Sequence, residues 1–227
     1  MLQLSVVLGT LNRLESLMGA VASIRASCVG LESEIIVVDG GSRDGTAEYL
    51  LEQPDVRTIW QRTRLGAVEA FNAGFAAAHG TYVANLNDDM RVEGDTLRLA
   101  VDYLDTHELC GQVAIPFEDP DVPLRVEYVT AGLRHVTYRY ANFGVTRRWL
   151  GEALGWWGKV YHHYGGDTEL SLLVWQAGFT VDTLPGGRIT HLRQRDATRI
   201  INYSNKAFKT RWERWDNNVV PIQPALV

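Results

Sequence analysis

The sequence predicts an α/β fold: a mixed, mainly parallel sheet flanked by helices, with a small hairpin inserted in its second half. Three observations carry that prediction. Short β-branched apolar runs alternate through the first half with helix-compatible stretches of roughly 10 to 15 residues, as βα units do. Ile35, Ile36, Val37 and Val38 are apolar without a break, so both faces of that strand are expected to be covered. Beyond Pro116 the pattern turns to alternation on either side of a short turn, which reads as a hairpin.

In chain order, residues 2–8 (LQLSVVL) make the first strand, and a helix is expected over about 13–28. Residues 34–38 (EIIVV) form a second buried strand that ends at Asp39 and the turn Gly40-Gly41. A helix over about 43–52 and a weaker strand over 56–61 follow. Residues 66–79 are Ala-rich and helical, and 80–86 (GTYVANL) form the next strand. Another helix is expected over 93–107 and a strand over 111–115. Pro116, Pro120 and Pro123 punctuate a loop, and the hairpin then pairs 126–130 with 136–140 around 131–135. The last elements are a helix over 167–176, a short strand over 179–182 and a helix over 199–215. With no internal repeat, low-complexity tract or linker, the 227 residues read as one domain in two halves, the change falling near residue 115.

Composition narrows the function classes. At 46% apolar and 22% charged, the chain matches an ordinary globular protein and excludes a disordered or collagen-like one. No apolar run approaches the roughly 18 residues of a membrane span, and no secretory signal is evident at the start. Cys28 and Cys110 are the two cysteines, and neither sits in a CxxC or Cys/His cluster. That argues against structural zinc or disulfides, and a cytoplasmic location is expected, peripheral to the inner face of a membrane if the basic C-terminal segment meets lipid. A net charge of −5 argues against a general nucleic-acid binder. The charge is uneven, however: Arg188 to Arg214 holds eight Lys or Arg against two acids.

Ligands of open α/β sheets bind beyond the carboxyl ends of the strands. Three segments stand there: Leu8-Gly9-Thr10, Asp39-Gly40-Gly41-Ser42 and Asn87-Asp88-Asp89. Asp39 offers a carboxylate to a base N–H or a ribose hydroxyl, and the glycine pair lets backbone approach a ligand. Asp39, Ser42 and Asp44 are equally suited to capping the turn and the helix after it. No GxGxxG or GxxxxGK[ST] occurs, so the dinucleotide and Walker readings lack their motif. Asp88 and Asp89 are adjacent carboxylates that repel unless a cation or basic group compensates. Such oxygen ligands suit Mg²⁺ or Mn²⁺ bridged to phosphates; the alternative is a solvated acidic turn.

These pieces, in this order, resemble the family 2 glycosyltransferases of the GT-A fold. Ser5-Val6-Val7-Leu8-Gly9-Thr10-Leu11-Asn12-Arg13 is similar to that family's opening strand, with Gly9 in place of the usual Pro. Residues 34–46, EIIVVDGGSRDGT, resemble its EIIVVDDGSTDGT, and residues 66–80 resemble its GxxxAxNxGxxxAxG helix. Leu86-Asn87-Asp88-Asp89 falls where its DxD-type motif belongs. Residues 142–148 resemble a glycine-containing strand before an Arg. Tyr164 to Leu170 resembles the family's GEDxDL segment with Gly166 in place of Glu, and Ile189-Thr190-His191 resembles its late metal-binding His. The match runs over roughly residues 2 to 192.

The resemblance implies a Rossmann-like GT-A architecture, with a nucleotide-binding half over about 1–115, an acceptor and catalytic half over about 116–198, and a C-terminal helix and tail over about 199–227. It implies a nucleotide-diphosphate-sugar donor, a glycan, lipid-linked or protein acceptor, and inverting transfer. Asp39 would meet the base, with Thr10, Asn12, Arg13, Gly66, Asn72, Asn87 and Asp88 on the nucleotide side. Asp89 and His191 would hold Mn²⁺ or Mg²⁺, Asn87 departing from the first-position Asp. Asp167 would be the general base, or else an N-cap of the helix it starts. Glu169 would support binding on the acceptor side or serve as the base in place of Asp167; Trp156 and Trp157 also fall there, within the aromatic cluster that Tyr161, His162, His163 and Tyr164 complete.

Phe208, Trp212 and Trp215 recur at helical spacing in the basic tail, among Lys206, Lys209, Arg211 and Arg214. That stripe either packs on the fold or forms an amphipathic helix for peripheral contact with anionic lipid. Arg193, Arg195 or Arg199 would alternatively close over a diphosphate. Two other functions compete with transfer. One is a nucleotide-sugar binding module without catalysis, favoured by Gly166 and Asn87. The other is a nucleotidyltransferase, which would normally carry a Gly-rich basic first loop that residues 9–13 lack.

Overall fold

The computed structural model describes residues 1–63, 65–161, 164–193 and 211–217. Four of the apolar runs, β1 (Leu4–Thr10), β2 (Ser33–Asp39), β3 (Val56–Trp60) and β4 (Tyr82–Asn87), lie side by side and parallel, with β1 between β2 and β4. Short β5 (Met90–Val92) follows β4 directly, and β6 (Cys110–Ala114) returns to the central sheet. Across the second half run β7 (Phe117–Asp119), β8 (Val122–Arg125), the hairpin β9 (Glu127–Ala131) and β10 (Val136–Tyr140), β11 (Gly144–Arg147), β12 (Thr180–Thr183) and β13 (Ile189–His191). The central sheet has the order β12-β6-β11-β4-β1-β2-β3. Only β11 runs against its neighbours, β4 and β6, so the sheet is mixed and mainly parallel.

Among the described residues these strands are accompanied by the helices α1 (Leu14–Ser27), α2 (Thr46–Leu51), α3 (Ala67–Ala77), α4 (Thr96–Thr106), α5 (Arg148–Leu154) and α6 (Gly166–Gln176). Both faces of the central strands are covered, as their unbroken apolar runs require. Leu4, Val6 and Leu8 of β1 face a core built with α1 and α4, whereas Val7 faces Phe71 and Phe75 of α3 together with Trp156 and Trp157. Helix α3 approaches β1 closely at Gly74, where a Cβ would lie 2.3 Å from Val7 Cγ1. Valine is stiff at χ1 and the site is packed on all sides. Gly74→Ala is therefore expected to destabilise the fold by about 1–3 kcal/mol. A urea midpoint equal to that of the native chain would show that α3 can move away at no cost.

A second sheet, β5-β13-β7-β8, lies apart from the first and was not foreseen. The segment punctuated by Pro116, Pro120 and Pro123 was expected as a loop but folds as β7 and β8. Pro123 is tolerated because β8 is an edge strand, where a missing N–H need not break a ladder bond. Strand β5 also takes residues 90–92, so the helix expected from 93 starts at Thr96. Helix α2 starts three residues later than expected because Gly45 is left-handed (φ +94°) and Asp44 accepts from the backbone N–H groups of Leu14 and Thr46. Helix α5 had no counterpart in the sequence reading, since seven residues show little periodicity. Cys28 and Cys110 are buried and free.

Most of the expected 199–215 helix, with Arg195, Arg199, Lys206, Phe208 and Lys209, lies outside the described residues, as do His162 and His163. Its end, 211–217, seats on the β9–β10 hairpin. Gly132 and Leu133 donate to the carbonyls of Trp212 and Trp215 at 2.8 and 2.9 Å, and Asn217 Nδ2 donates to Tyr138 Oη at 2.8 Å. Trp212 and Trp215 are buried in a cluster with Tyr138 and Trp175. Of the two expectations for these indoles, packing on the fold is the one observed; they are not presented for contact with lipid. No helix among the described residues is long and apolar enough to cross a membrane.

Candidate active site

Strands β1 and β4 end side by side, so Thr10, Asn87, Asp88 and Asp89 emerge at one edge of the central sheet. A cleft of about 730 Å³ opens there. It is lined from the first half of the chain by Thr10, Arg13, Gly40, Gly66, Asn87, Asp88 and Asp89, and from the second by Asp119, Arg125, Glu127, Asn142, Tyr164, His191 and Arg193. The volume lies within the range of small-molecule sites.

The adjacent acids are compensated within the fold. Arg13 Nη1 reaches Asp88 Oδ1 at 3.0 Å and Asp89 Oδ2 at 3.1 Å, and Thr10 Oγ1 donates to Asp88 Oδ2 at 2.8 Å. Burial pushes the Asp88 carboxyl up to about 6, with the Asp89 charge adding to it and Arg13 and Thr10 opposing.

His191 comes to Asp89 through the second sheet. Strand β13 lies between β5 and β7, with His191 opposite Met90 and Thr190 opposite Glu118, so Asp89, His191 and Asp119 stand abreast. His191 Nε2 is 3.3 Å from Asp89 Oδ1, and Nδ1 is 2.8 Å from Asp119 Oδ1. Asp119 Oδ2 takes Arg125 at 2.6 Å and Arg193 at 2.9 Å. Burial would lift Asp119, but hydrogen bonds from Arg125 and His191 and the two guanidinium charges hold its carboxyl below the usual range. Burial likewise works to lower His191, and the hydrogen bonds and charges of Asp89 and Asp119 outweigh it, so the imidazole titrates above its ordinary value.

The donor set fits a divalent cation shared with a substrate. Among the described residues no group of three or more His, Cys, Asp or Glu is arranged to hold a metal alone. Asp89 Oδ1 and His191 Nε2 nevertheless converge, and a carboxylate behind the imidazole is the usual outer support of a ligating His. One or two protein ligands completed by substrate phosphates is common for Mg²⁺.

Other expected residues stand elsewhere. Asp39 is buried and turned onto its own loop, accepting from Gly41 N at 3.2 Å, Ser42 N at 3.1 Å and Ser42 Oγ at 2.5 Å; it presents Gly40, not its carboxylate, to the cleft. Asn12 ties the same loop, its Oδ1 accepting from Arg43 N at 2.8 Å. Asn72 grips the Trp157 backbone at both ends of its amide, donating to the carbonyl at 2.8 Å and accepting from N–H at 3.1 Å. Asn72→Ala leaves both groups short of a partner and is expected to cost about 1–3 kcal/mol, read from a urea melt. An unshifted melt would mean water replaces the amide.

Trp156 and Trp157 are buried against Phe75 and Phe71, with ring centroids 4.5 and 4.4 Å apart, so neither lines the cleft. Trp157 also accounts for Gly166: a Cβ there would meet the indole at 2.7 Å, leaving no room for a glutamate. Glu169 is fully buried and pairs with Arg211 at 2.5 Å, an internal link between α6 and the C-terminal segment. Asp167 is partly exposed in the first turn of α6, its Oδ1 accepting from Thr168 N at 2.8 Å. It is not among the residues lining the cleft. Partial burial pushes the Tyr140 phenol up, and the charges of Asp167 and of the cleft residue Glu127 add to it. Burial pushes the Asp167 carboxyl up to about 6. Sequence reasoning missed Asp119, Arg125 and Glu127; their one signal is an acidic run, Glu118-Asp119 with Asp121, in a segment read as loop.

Comparison with known proteins bears on the family and the fold. The family described as Glycosyl transferase family 2 matches residues 5–162. The succinoglycan biosynthesis protein ExoO of Rhizobium meliloti is 32% identical over 130 residues, 51% of this chain and 37% of that protein. An uncharacterized glycosyltransferase of Nostoc is 32% identical over 115 residues, 48% of this chain and 35% of that protein. The chain thus spans little more than a third of the length of these curated relatives. Among solved structures, GalNAc-T7 with UDP, GalNAc and Mn²⁺ superposes at a TM-score of 0.70 and 18% identity, over 86% of this chain and 45% of that one. The mannosyltransferase PcManGT of Pyrobaculum calidifontis, with GDP-Man and Mn²⁺, gives 0.67 and 18% over 86% and 58%. S. aureus TarS 1-349 with UDP-GlcNAc gives 0.70 and 17% over 88% and 61%. At such identities the likeness shows the fold, which is GT-A.

Proposed function

The chain belongs to glycosyl transferase family 2, and from that premise we propose that it moves a sugar from a nucleotide-diphosphate-sugar donor to an acceptor hydroxyl, with inversion. The observation that carries this reading is the meeting of Arg13, Asp88, Asp89 and His191 at the carboxyl edge of the sheet, in a cleft of about 730 Å³. In this reading Thr10, Arg13, Gly66, Asn87 and Asp88 border the nucleotide, and Asp39, Asn12 and Asn72 hold the loops around it. Asp89 and His191 would hold Mn²⁺ or Mg²⁺, a charge that offsets the one developing on the leaving diphosphate. Asp167 takes the acceptor proton as that oxygen bonds to the anomeric carbon and the bond to the diphosphate breaks. A carboxyl lifted to about 6 is a stronger base than an ordinary aspartate and remains ionised at neutral pH.

The test is a thermal-shift titration with UDP-, GDP-, dTDP- and CDP-sugars, each with and without Mn²⁺. A ligand at 100 times its Kd adds about 2.7 kcal/mol. One nucleotide class that stabilises only with Mn²⁺ is the expected result; stabilisation by none of them overturns the donor reading. Gly166 and Asn87 favour one second reading, a nucleotide-sugar binding module. Donor binding with no release of nucleoside diphosphate on any acceptor would establish that module instead.

A further inference from the structure

We propose that Asp119 is a positioning residue: by accepting the Nδ1 proton of His191 it fixes the imidazole with Nε2 turned to Asp89. The proposal deepens the reading above, since it concerns how His191 is made ready for a cation shared with Asp89.

The argument begins with register. β13 is three residues long and carries His191 at its end, where Phe143 and Phe117 pack on the ring with centroids 5.2 and 6.2 Å away but leave open which nitrogen holds the proton. Its pairing with β7 brings Asp119 level with His191, 72 residues away in sequence. The two oxygens of Asp119 then divide their work. Oδ2 is anchored by Arg125 and Arg193, which keeps the carboxylate from turning, and Oδ1 meets His191 Nδ1 at 2.8 Å. Asp119 is 5% exposed, so water does not compete freely for it. An ionised carboxylate only accepts, so Nδ1 must carry the proton. Nε2 is thereby the nitrogen that faces Asp89 Oδ1, 3.3 Å away: it donates there while the imidazole is charged, and it is the nitrogen freed for a cation when the imidazole is neutral. Neutral histidine with Nε2 protonated would aim a hydrogen, not a lone pair, at the cation.

The first measurement needs no variant: long-range ¹H–¹⁵N spectra of ¹⁵N-histidine protein, taken where His191 is neutral and assigned with His191→Gln. Protonation at Nδ1 is expected; a predominant Nε2–H form overturns the proposal. The second is Mn²⁺ binding followed by loss of the aquo-Mn²⁺ EPR signal, with UDP or GDP as the probe nucleotide. Asp119→Ala is expected to weaken Mn²⁺ by about 10- to 100-fold. Asp119→Asn keeps a single oxygen, for which Arg125 and Arg193 compete with Nδ1, and is expected to lose much of the same affinity. Folded Asp119→Ala protein that keeps the Nδ1–H form and native Mn²⁺ affinity overturns the proposal, and a poorly folding alanine variant leaves the native spectrum and Asp119→Asn to decide. Native protein with the Nδ1–H form but no Mn²⁺ binding under either nucleotide supports the hold of Asp119 on His191 and overturns the metal reading, so the two failures are distinct.

Discussion

Asp89→Asn is expected to remove Mn²⁺-dependent donor stabilisation and to lower transfer by about 100- to 1,000-fold, the equivalent of several kcal/mol of charge stabilisation at the leaving diphosphate. The fold should survive it. Arg13 keeps Asp88 at 3.0 Å and His191 keeps Asp119 at 2.8 Å, so neither basic group is stranded. Removing one of two adjacent carboxylates also relieves the repulsion that helps to lift Asp88. Stability without metal is expected to stay within about 1 kcal/mol of the native chain. The pairing of intact melting with lost Mn²⁺ response is the signature; a variant that binds donor with undiminished Mn²⁺ dependence removes Asp89 from the site.

Asp167→Asn is the second large effect. Donor binding should be unchanged while kcat falls by about 100- to 10,000-fold, the usual worth of a general base. The pH profile supplies an independent check. Asp167 acts as a carboxylate and its carboxyl sits at about 6, so activity should be full above that value and fall about tenfold per pH unit below it. The asparagine variant should lack that limb. Glu127→Gln is the paired control, because Glu127 is a carboxylate that lines the cleft. Unchanged turnover in Asp167→Asn together with collapse in Glu127→Gln would move the base to Glu127.

Much of the scaffold was readable from local pattern. A strand such as β2 announces itself by four consecutive apolar β-branched residues, and the acids at strand ends follow because a parallel sheet gathers its carboxyl ends on one edge. Arg13, Asp88 and Asp89 were legible for that reason: each lies at or just beyond a strand whose place was already set. Asn72, Trp156 and Trp157 were misleading for the opposite reason. Residue type says that an amide can bind a nucleotide and an indole can stack on a sugar, but not that the amide is spent on the Trp157 backbone or the indoles on Phe71 and Phe75.

By itself, then, the sequence determined the βα order, the two covered faces of the central sheet and the acidic edge where a ligand belongs. Those follow from side-chain periodicity and strand polarity, which act over a few residues. Tertiary structure alone decided that β5, β13 and β7 pair, because three-residue strands are too short to show a period and gain their stability only from neighbours about 70 to 100 residues away. That pairing sets His191 between Asp89 and Asp119. It turns an unremarked loop aspartate into the group that orients the imidazole at the mouth of the cleft.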